Sequence, residues 1–285
     1  RFRRNHDHPQ KHLEMKTTIR GIPYWIEHYH SHDDLPTLVM LHGFMGSSGS
    51  FYHLTDALRE FANLVYIDLL GHGETNAPSN SQRYAPDQQV ADLHAILQKF
   101  GGKPLILHGY SMGGRLALQY ACRHPGHLDK LILESTTAGI TDKSERDIRK
   151  RTDRTRAMQI LEDKDRFIKE WNNASLFQNK ESISPDVEEQ LEAIQQAQNS
   201  IGLQNSLICF GTGSMSPLHD QLNTIDIPTL ILAGANDEKF KQEGRILNDL
   251  IQNSKYSEIE NAAHRIHLDN PIAYLEKIKD IIQEK

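Results

Sequence analysis

Apolar and polar residues follow two rhythms along this chain. Five short runs are apolar almost throughout: Pro36–Leu41, Val65–Leu70, Pro104–His108, Leu131–Glu134 and Ile227–Gly234. Short runs of this kind read as strands buried on both faces. Other stretches, such as Arg115–Ala121, carry the helical period. From Met15 to about Thr137 the pattern reads strand, strand, loop, strand, helix, strand, helix, strand. That alternation predicts a mostly parallel sheet flanked by helices, an α/β fold. From Gly139 to Met215 charged, helix-forming segments dominate and no strand is predicted. The sheet resumes at Ile225, and a last helix is expected from Pro271. The expected organisation is therefore a core of residues 15–138 and 216–285 with a helical cap, 139–215, inserted between them. Residues 1–14 hold three histidines and no periodicity. They are expected to be a disordered or foreign extension, with Met15 as the natural start.

Candidate chemistry sits where two rhythms meet. Gly109–Gly113 reads G-x-S-x-G, between the run Pro104–His108 and the helix that includes Arg115–Ala121. The turn puts Ser111 at its tip, and the glycines leave room where Cβ atoms would clash. A serine hydroxyl is barely ionised at neutral pH, so a neutral imidazole must take its proton, and a buried carboxylate must orient that imidazole. His264 supplies the first and Asp237, just after the run ending at Gly234, the second. Their rivals are His267, read as packing or as a support behind the catalytic residues, and Glu238, which points elsewhere if the strand ends at Gly234.

The chain order Ser111, Asp237, His264 resembles that of the α/β-hydrolases. In that fold an early loop and the residue after the serine each supply an oxyanion-hole amide. The resemblance places these at the backbone N–H groups of Phe44, in His42–Phe44, and of Met112. A cap inserted above the sheet would roof the site, because ligands of open α/β sheets bind beyond the carboxyl ends of the strands.

Composition narrows the classes. The 285 residues carry a formal net charge of −6, which favours neither nucleic acid nor an anionic membrane as partner. No apolar run approaches the roughly 18 residues that span a bilayer, and no apolar stretch follows the basic N-terminus, so a cytoplasmic protein is expected. The two cysteines, Cys122 and Cys209, are expected to be buried and reduced. His28, His30 and His32 alternate, but no fourth ligand or cysteine pair accompanies them, so no metal is expected. Gly71–Gly73 reads as a tight loop below the pocket, not as a source of a catalytic histidine.

A closer resemblance rests on Gly109–Arg115, Leu133–Gly139, Glu145–Arg149 followed by Asp153, Gly211–Gly213 with Pro217–Leu218, and Ala233–Phe240. These resemble the 2-succinyl-6-hydroxy-2,4-cyclohexadiene-1-carboxylate synthases of menaquinone biosynthesis, α/β-hydrolases with a cap. The similarity covers nearly everything after Met15. It implies an α/β-hydrolase fold and a lyase that eliminates pyruvate from 2-succinyl-5-enolpyruvyl-6-hydroxy-3-cyclohexene-1-carboxylate. Ser111, activated by His264, would remove a ring proton next to the succinyl ketone, and no cofactor is implied.

The implied substrate carries three carboxylates, so its pocket should hold guanidinium or amide donors. Arg115, one helical turn after Ser111, is the first candidate. Arg149 matches a carboxylate-binding position of the family, with Arg146 and Arg151 as neighbours. Trp171 matches a pocket tryptophan, and Tyr110 is expected against substrate. Gln195 stands where the family often has a further arginine. The expected partner is a small polycarboxylate; a monomer and a dimer are both compatible with the sequence. Two other readings stay open: a carboxylesterase or carbon–carbon bond hydrolase in which Ser111 is acylated, and a non-catalytic binding protein of this fold.

Overall fold

The computed structural model describes residues 11–179 and 183–284. Eight strands form one sheet: β1 (Lys11–Ile19), β2 (Ile22–His30), β3 (Thr37–Leu41), β4 (Asn63–Ile67), β5 (Leu105–Tyr110), β6 (Lys130–Glu134), β7 (Thr229–Gly234) and β8 (Ser254–Ile259). Their order is β1-β2-β4-β3-β5-β6-β7-β8. The β1–β2 and β2–β4 pairs are antiparallel, and all the others are parallel. The helices are α1 (Thr55–Leu58), α2 (Pro86–Leu97), α3 (Met112–Arg123), α4 (Lys143–Glu162), α5 (Lys164–Asn172), α6 (Pro185–Ala197), α7 (Ser200–Phe210), α8 (Glu238–Leu250), α9 (Ile266–Asp269) and α10 (Pro271–Gln283).

The central strands explain their own sequences. Every residue of β3 and of β5 is buried. Val39 and Leu41 join the core on one face of the sheet, while Leu38 and Met40 join the core on the other. Leu105 and Leu107 alternate with Ile106 in the same way. A strand covered on both sides has no polar face to show, which is why periodicity gives way to a continuous apolar run.

Several expectations need correction. Lys11–Glu14 belong to β1 and pair with β2 from Lys11 opposite His30 onward, so they are not a disordered extension. Residues 1–10 lie outside the described residues. Six strands precede Thr137, one helix–strand unit more than the pattern predicted. The run Val65–Leu70 overshoots β4, which starts at Asn63 and ends at Ile67. Beyond it the buried Asp68 carboxylate accepts the backbone N–H groups of Ser48 (2.6 Å) and Glu74 (2.8 Å) and draws the chain into a loop. β8 went unseen because it is the sheet's far edge, where only Ile259 of the strand is fully buried.

Between β6 and β7 the described residues form helices and loops only. Helix α4 begins at Asp142, whose carboxylate accepts the Glu145 N–H at 2.8 Å. Only Asp153, Ala157 and Ile160 of its side chains are buried. Ala157 and Ile160 pack with Phe167, Ile168, Leu203 and Leu207 into a third small core, which Met45 enters from the loop after β3. The helical segment is thus seated on the carboxyl end of β3.

That end is also where connections diverge, since β4 and β5 flank β3 on opposite sides. Such a switch point opens a crevice beyond the strand ends. Beside it the packing leaves no space for a side chain at position 113. A Cβ on Gly113 would lie 2.4 Å from the Leu41 carbonyl oxygen and 2.7 Å from that of His42. Gly113→Ala should therefore cost about 2–3 kcal/mol, read as a fall in Tm of about 5–10 °C. Gly101→Ala, whose Cβ meets nothing nearer than 3.9 Å, is the control and should leave Tm nearly unchanged.

Candidate active site

Ser111 links β5 to α3 with φ +50° and ψ −104°, a conformation that L residues rarely adopt. Such a residue costs on the order of 1–3 kcal/mol and persists only when its surroundings fix it. Here they do. The Ser111 N–H donates to the Glu134 carbonyl at 2.8 Å, and the Thr136 hydroxyl donates to the Ser111 carbonyl at 2.8 Å. Two residues on, the Gly113 N–H donates to the His42 carbonyl at 3.1 Å.

Two loops bring the other groups to it. His264 Nε2 stands 3.0 Å from Ser111 Oγ, and His264 Nδ1 stands 2.9 Å from Asp237 Oδ2. Asp237 ends the turn after β7, and its other oxygen caps α8 by accepting the Phe240 N–H at 3.1 Å. Its carboxylate is thereby fixed toward the ring. Burial pushes the His264 pKa down, and the hydrogen bond and charge of Asp237 oppose that shift. A lowered pKa keeps the imidazole neutral at pH 7, with Nε2 free to accept a proton. Of the rivals, Glu238 is exposed and pairs with Lys241 at 2.8 Å, and His267 binds Glu134 at 2.7 Å.

The loop after β3 completes the floor. The Leu69 N–H donates to His42 Nε2 at 3.0 Å, so His42 Nδ1–H donates to the Gly43 carbonyl at 2.7 Å. Burial lowers the His42 pKa to about 4, so the ring stays neutral. This buried ring orients the peptide that leads to Phe44. Met112 opens α3, and the first amides of a helix have no partner inside it. Phe44, Met112, Ser111 and His264 all border one cavity of about 690 Å³. His72 is buried behind this floor with its ring 5.8 Å from that of Phe44.

The cavity carries charges of both signs, and Glu145, Asp237, Glu238 and Glu243 are among its lining residues. Arg115, Arg149, Arg156 and Lys239 line it together with Trp171 and Tyr110. Arg115 donates to the Thr212 hydroxyl and to the Phe210 carbonyl (3.1 Å), and its buried Nε has no partner among the described residues. Burial and then Arg149 push its pKa down to about 9, against the pull of Asp153, which leaves it charged at pH 7. The Arg149 Nε donates to both Asp153 oxygens at 2.9 and 3.0 Å, and Arg156 Nη1 lies 3.8 Å from the same carboxylate. Arg156 also stacks over Trp171, 5.4 Å from the ring centroid.

Not every expected residue reaches this cavity. Gln195 is buried elsewhere: its amide exchanges two hydrogen bonds with Asn172, at 2.7 and 2.9 Å, and its side chain does not line the cavity. Polar satisfaction by a neighbouring helix placed it there, and the expected substrate contact is corrected. Arg146 turns back to the carbonyls of Ile140 and Thr141, and Arg151 is exposed. Arg156 was missed, although it follows Arg149 and Asp153 at i+7 and i+3, the spacing of one helix face. Phe177, also unforeseen, and Phe240, which ends the Ala233–Phe240 motif of the resemblance, press on the His264 ring at 5.7 and 4.4 Å. Among the described residues no group of histidine, cysteine, aspartate and glutamate could hold a metal ion. Both cysteines are unpaired, as expected, and half-buried against the core.

Comparison with known proteins places this geometry. The family profile described as alpha/beta hydrolase fold matches residues 36–271. A Bacillus subtilis (strain 168) protein provisionally described as 2-succinyl-6-hydroxy-2,4-cyclohexadiene-1-carboxylate synthase is 38% identical, over 82% of this chain and 85% of its own length. A protein of that name from Serratia proteamaculans (strain 568) is 28% identical over 87% of this chain and 94% of its own. The structure of MenH from S. aureus superposes with a TM-score of 0.86 at 32% identity, covering 90% of this chain and 97% of that one. The chain belongs to the alpha/beta hydrolase fold family and, within it, to the 2-succinyl-6-hydroxy-2,4-cyclohexadiene-1-carboxylate synthases.

Proposed function

We propose that this protein is a lyase of menaquinone biosynthesis that eliminates pyruvate from 2-succinyl-5-enolpyruvyl-6-hydroxy-3-cyclohexene-1-carboxylate. The observation that carries this reading is the hydrogen-bonded chain Ser111–His264–Asp237 opening into a cavity lined by Arg115, Arg149 and Arg156. Asp153 offsets part of the charge of the three buried or half-buried guanidinium groups, and a pocket for a simple neutral ester would leave the remainder without anionic partners. A substrate with three carboxylates supplies them.

The steps follow from the positions. His264 takes the Ser111 proton through Nε2 as the serine oxygen removes the ring proton beside the succinyl ketone. The electron pair moves into an enolate, whose oxygen the Phe44 and Met112 amides would meet. Each such donor is worth about 3 kcal/mol of barrier. The ring then expels the enolpyruvyl oxygen, which leaves as pyruvate after taking up a proton. Asp237 holds the tautomer and stabilises the transient imidazolium. The helical segment over the strands serves as the cap: it brings Arg149, Arg156 and Trp171 to the substrate and excludes water.

Three outcomes are expected. Freshly prepared substrate should release pyruvate far faster than it breaks down alone, and Ser111→Ala should lower kcat by about 10³-fold or more. Rapid turnover of simple esters with no pyruvate release would instead favour the acylating hydrolase. Arg115→Ala, checked for folding by circular dichroism, should lower kcat/KM by about 10–100-fold, the value of roughly 1.5–3 kcal/mol for a charge-assisted contact. Unchanged kinetics would overturn the anion-pocket argument. Finally, activity requires neutral His264, whose pKa lies below the ordinary 6.5. The acid limb of the rate should be centred below pH 6.5; an acid limb centred above 6.5 would contradict the assignment.

A further inference from the structure

Behind the serine, the end of β6 carries a carboxylate that the proposed chemistry leaves unused. Glu134 is fully buried. Its Oε1 accepts the His267 backbone N–H at 3.1 Å and the His267 Nδ1–H at 2.7 Å. Its Oε2 accepts from His108 Nε2 at 3.1 Å, and the Tyr274 hydroxyl lies 3.0 Å from that same nitrogen. Its backbone carbonyl is the acceptor for the Ser111 N–H. One residue thus holds the serine turn with its main chain and the histidine loop with its side chain.

The link to His264 is short. His267 follows it by three residues, and the His267 ring meets Tyr110 edge to face at 4.7 Å. The Tyr110 ring in turn lies 5.5 Å from the His264 ring. Burying a carboxylate costs several kcal/mol unless it is well paired, and a core position of this kind could take an apolar side chain. Burial by itself would raise the Glu134 pKa, but His267 and His108 outweigh it and hold the group well below the usual carboxylate range. It is an anion at neutral pH. The groups facing it are His108 and Tyr110 from β5, His53, His267 and Asp269, with Tyr274 from α10. Those facing His264 are Asp237, Arg265, Glu134 and Tyr110. Of these, Arg265 lowers the His264 pKa, while Asp237 and Glu134 raise it.

We propose that Glu134 is a positioning residue for His264: it fixes the histidine loop through His267, and its buried negative charge favours the imidazolium that His264 becomes. This rests on reading Ser111 and His264 as the working pair, but not on which substrate they act upon.

A fluorophosphonate probe tests it without the natural substrate. The Ser111 Oγ–P bond forms, the P–F bond breaks, fluoride leaves, and the serine proton passes to His264 Nε2. The labelling rate is followed against pH for wild type, Glu134→Gln and His267→Gln, each checked for folding, with Ser111→Ala as the blank. Glu134→Gln keeps the shape and removes the charge. Its rate should fall about tenfold or more, and its acid limb should move to lower pH, because a charge that raised the His264 pKa is gone. His267→Gln leaves the charge and breaks the ring contact; its rate should fall with the acid limb unmoved. A folded Glu134→Gln with the wild-type rate and limb overturns the proposal. Should that variant not fold, wild-type labelling by His267→Gln overturns it instead. Absence of pyruvate release with these shifts intact would sink the lyase reading alone and leave the role of Glu134 standing.

Discussion

The site depends on how closely the β5–α3 turn packs against the end of β3. Gly113 touches the Leu41 and His42 carbonyls, and its N–H donates to His42. Gly109 meets the α3 backbone just as tightly, with the Gly113 carbonyl oxygen 2.5 Å from where its Cβ would be. These contacts hold Ser111 at a φ of +50° and lift its hydroxyl out of the sheet. The same packing brings the Phe44 loop and the first amides of α3 to one side of the serine. Relaxing the turn would shift the serine hydroxyl and the neighbouring amides together, so the strain at Ser111 is part of how the site is built.

Charge is arranged in layers around that point. Deepest are carboxylates committed to partners: Glu134 to two histidines, Asp153 to two arginines, Asp237 to His264. Above Asp153 the arginines present their remaining donors to the cavity. A single buried carboxylate shared by Arg149 and Arg156 orients both and leaves a net positive charge. The shared carboxylate keeps two close cations compatible.

Much of the fold and of the site was legible in the chain. The central strands are buried on both faces, so they could only be apolar, and their runs stood out. The serine motif was legible because close backbone contacts demand glycine at fixed offsets. Of the edge strands, β8 was not legible because it buries one face poorly, and β1 was legible only from Met15, since it begins in a histidine-rich segment whose pairing with β2 comes from backbone hydrogen bonds that any sequence can make. Arg156 was legible in principle, through its helical spacing from Arg149, whereas the position of Gln195 was not.

The sequence by itself determined the α/β alternation, the order of serine, acid and base, and the family, because these rest on local patterns and on residue types at fixed spacing. The tertiary structure alone decided which polar groups meet. It set His264 against Ser111 across 153 positions, turned Gln195 away toward Asn172, and placed the Glu134 anion under both loops of the site. The physical reason is that a buried polar group must find its partner wherever the fold brings one within about 3 Å. That partner lies at a sequence distance which no local pattern encodes.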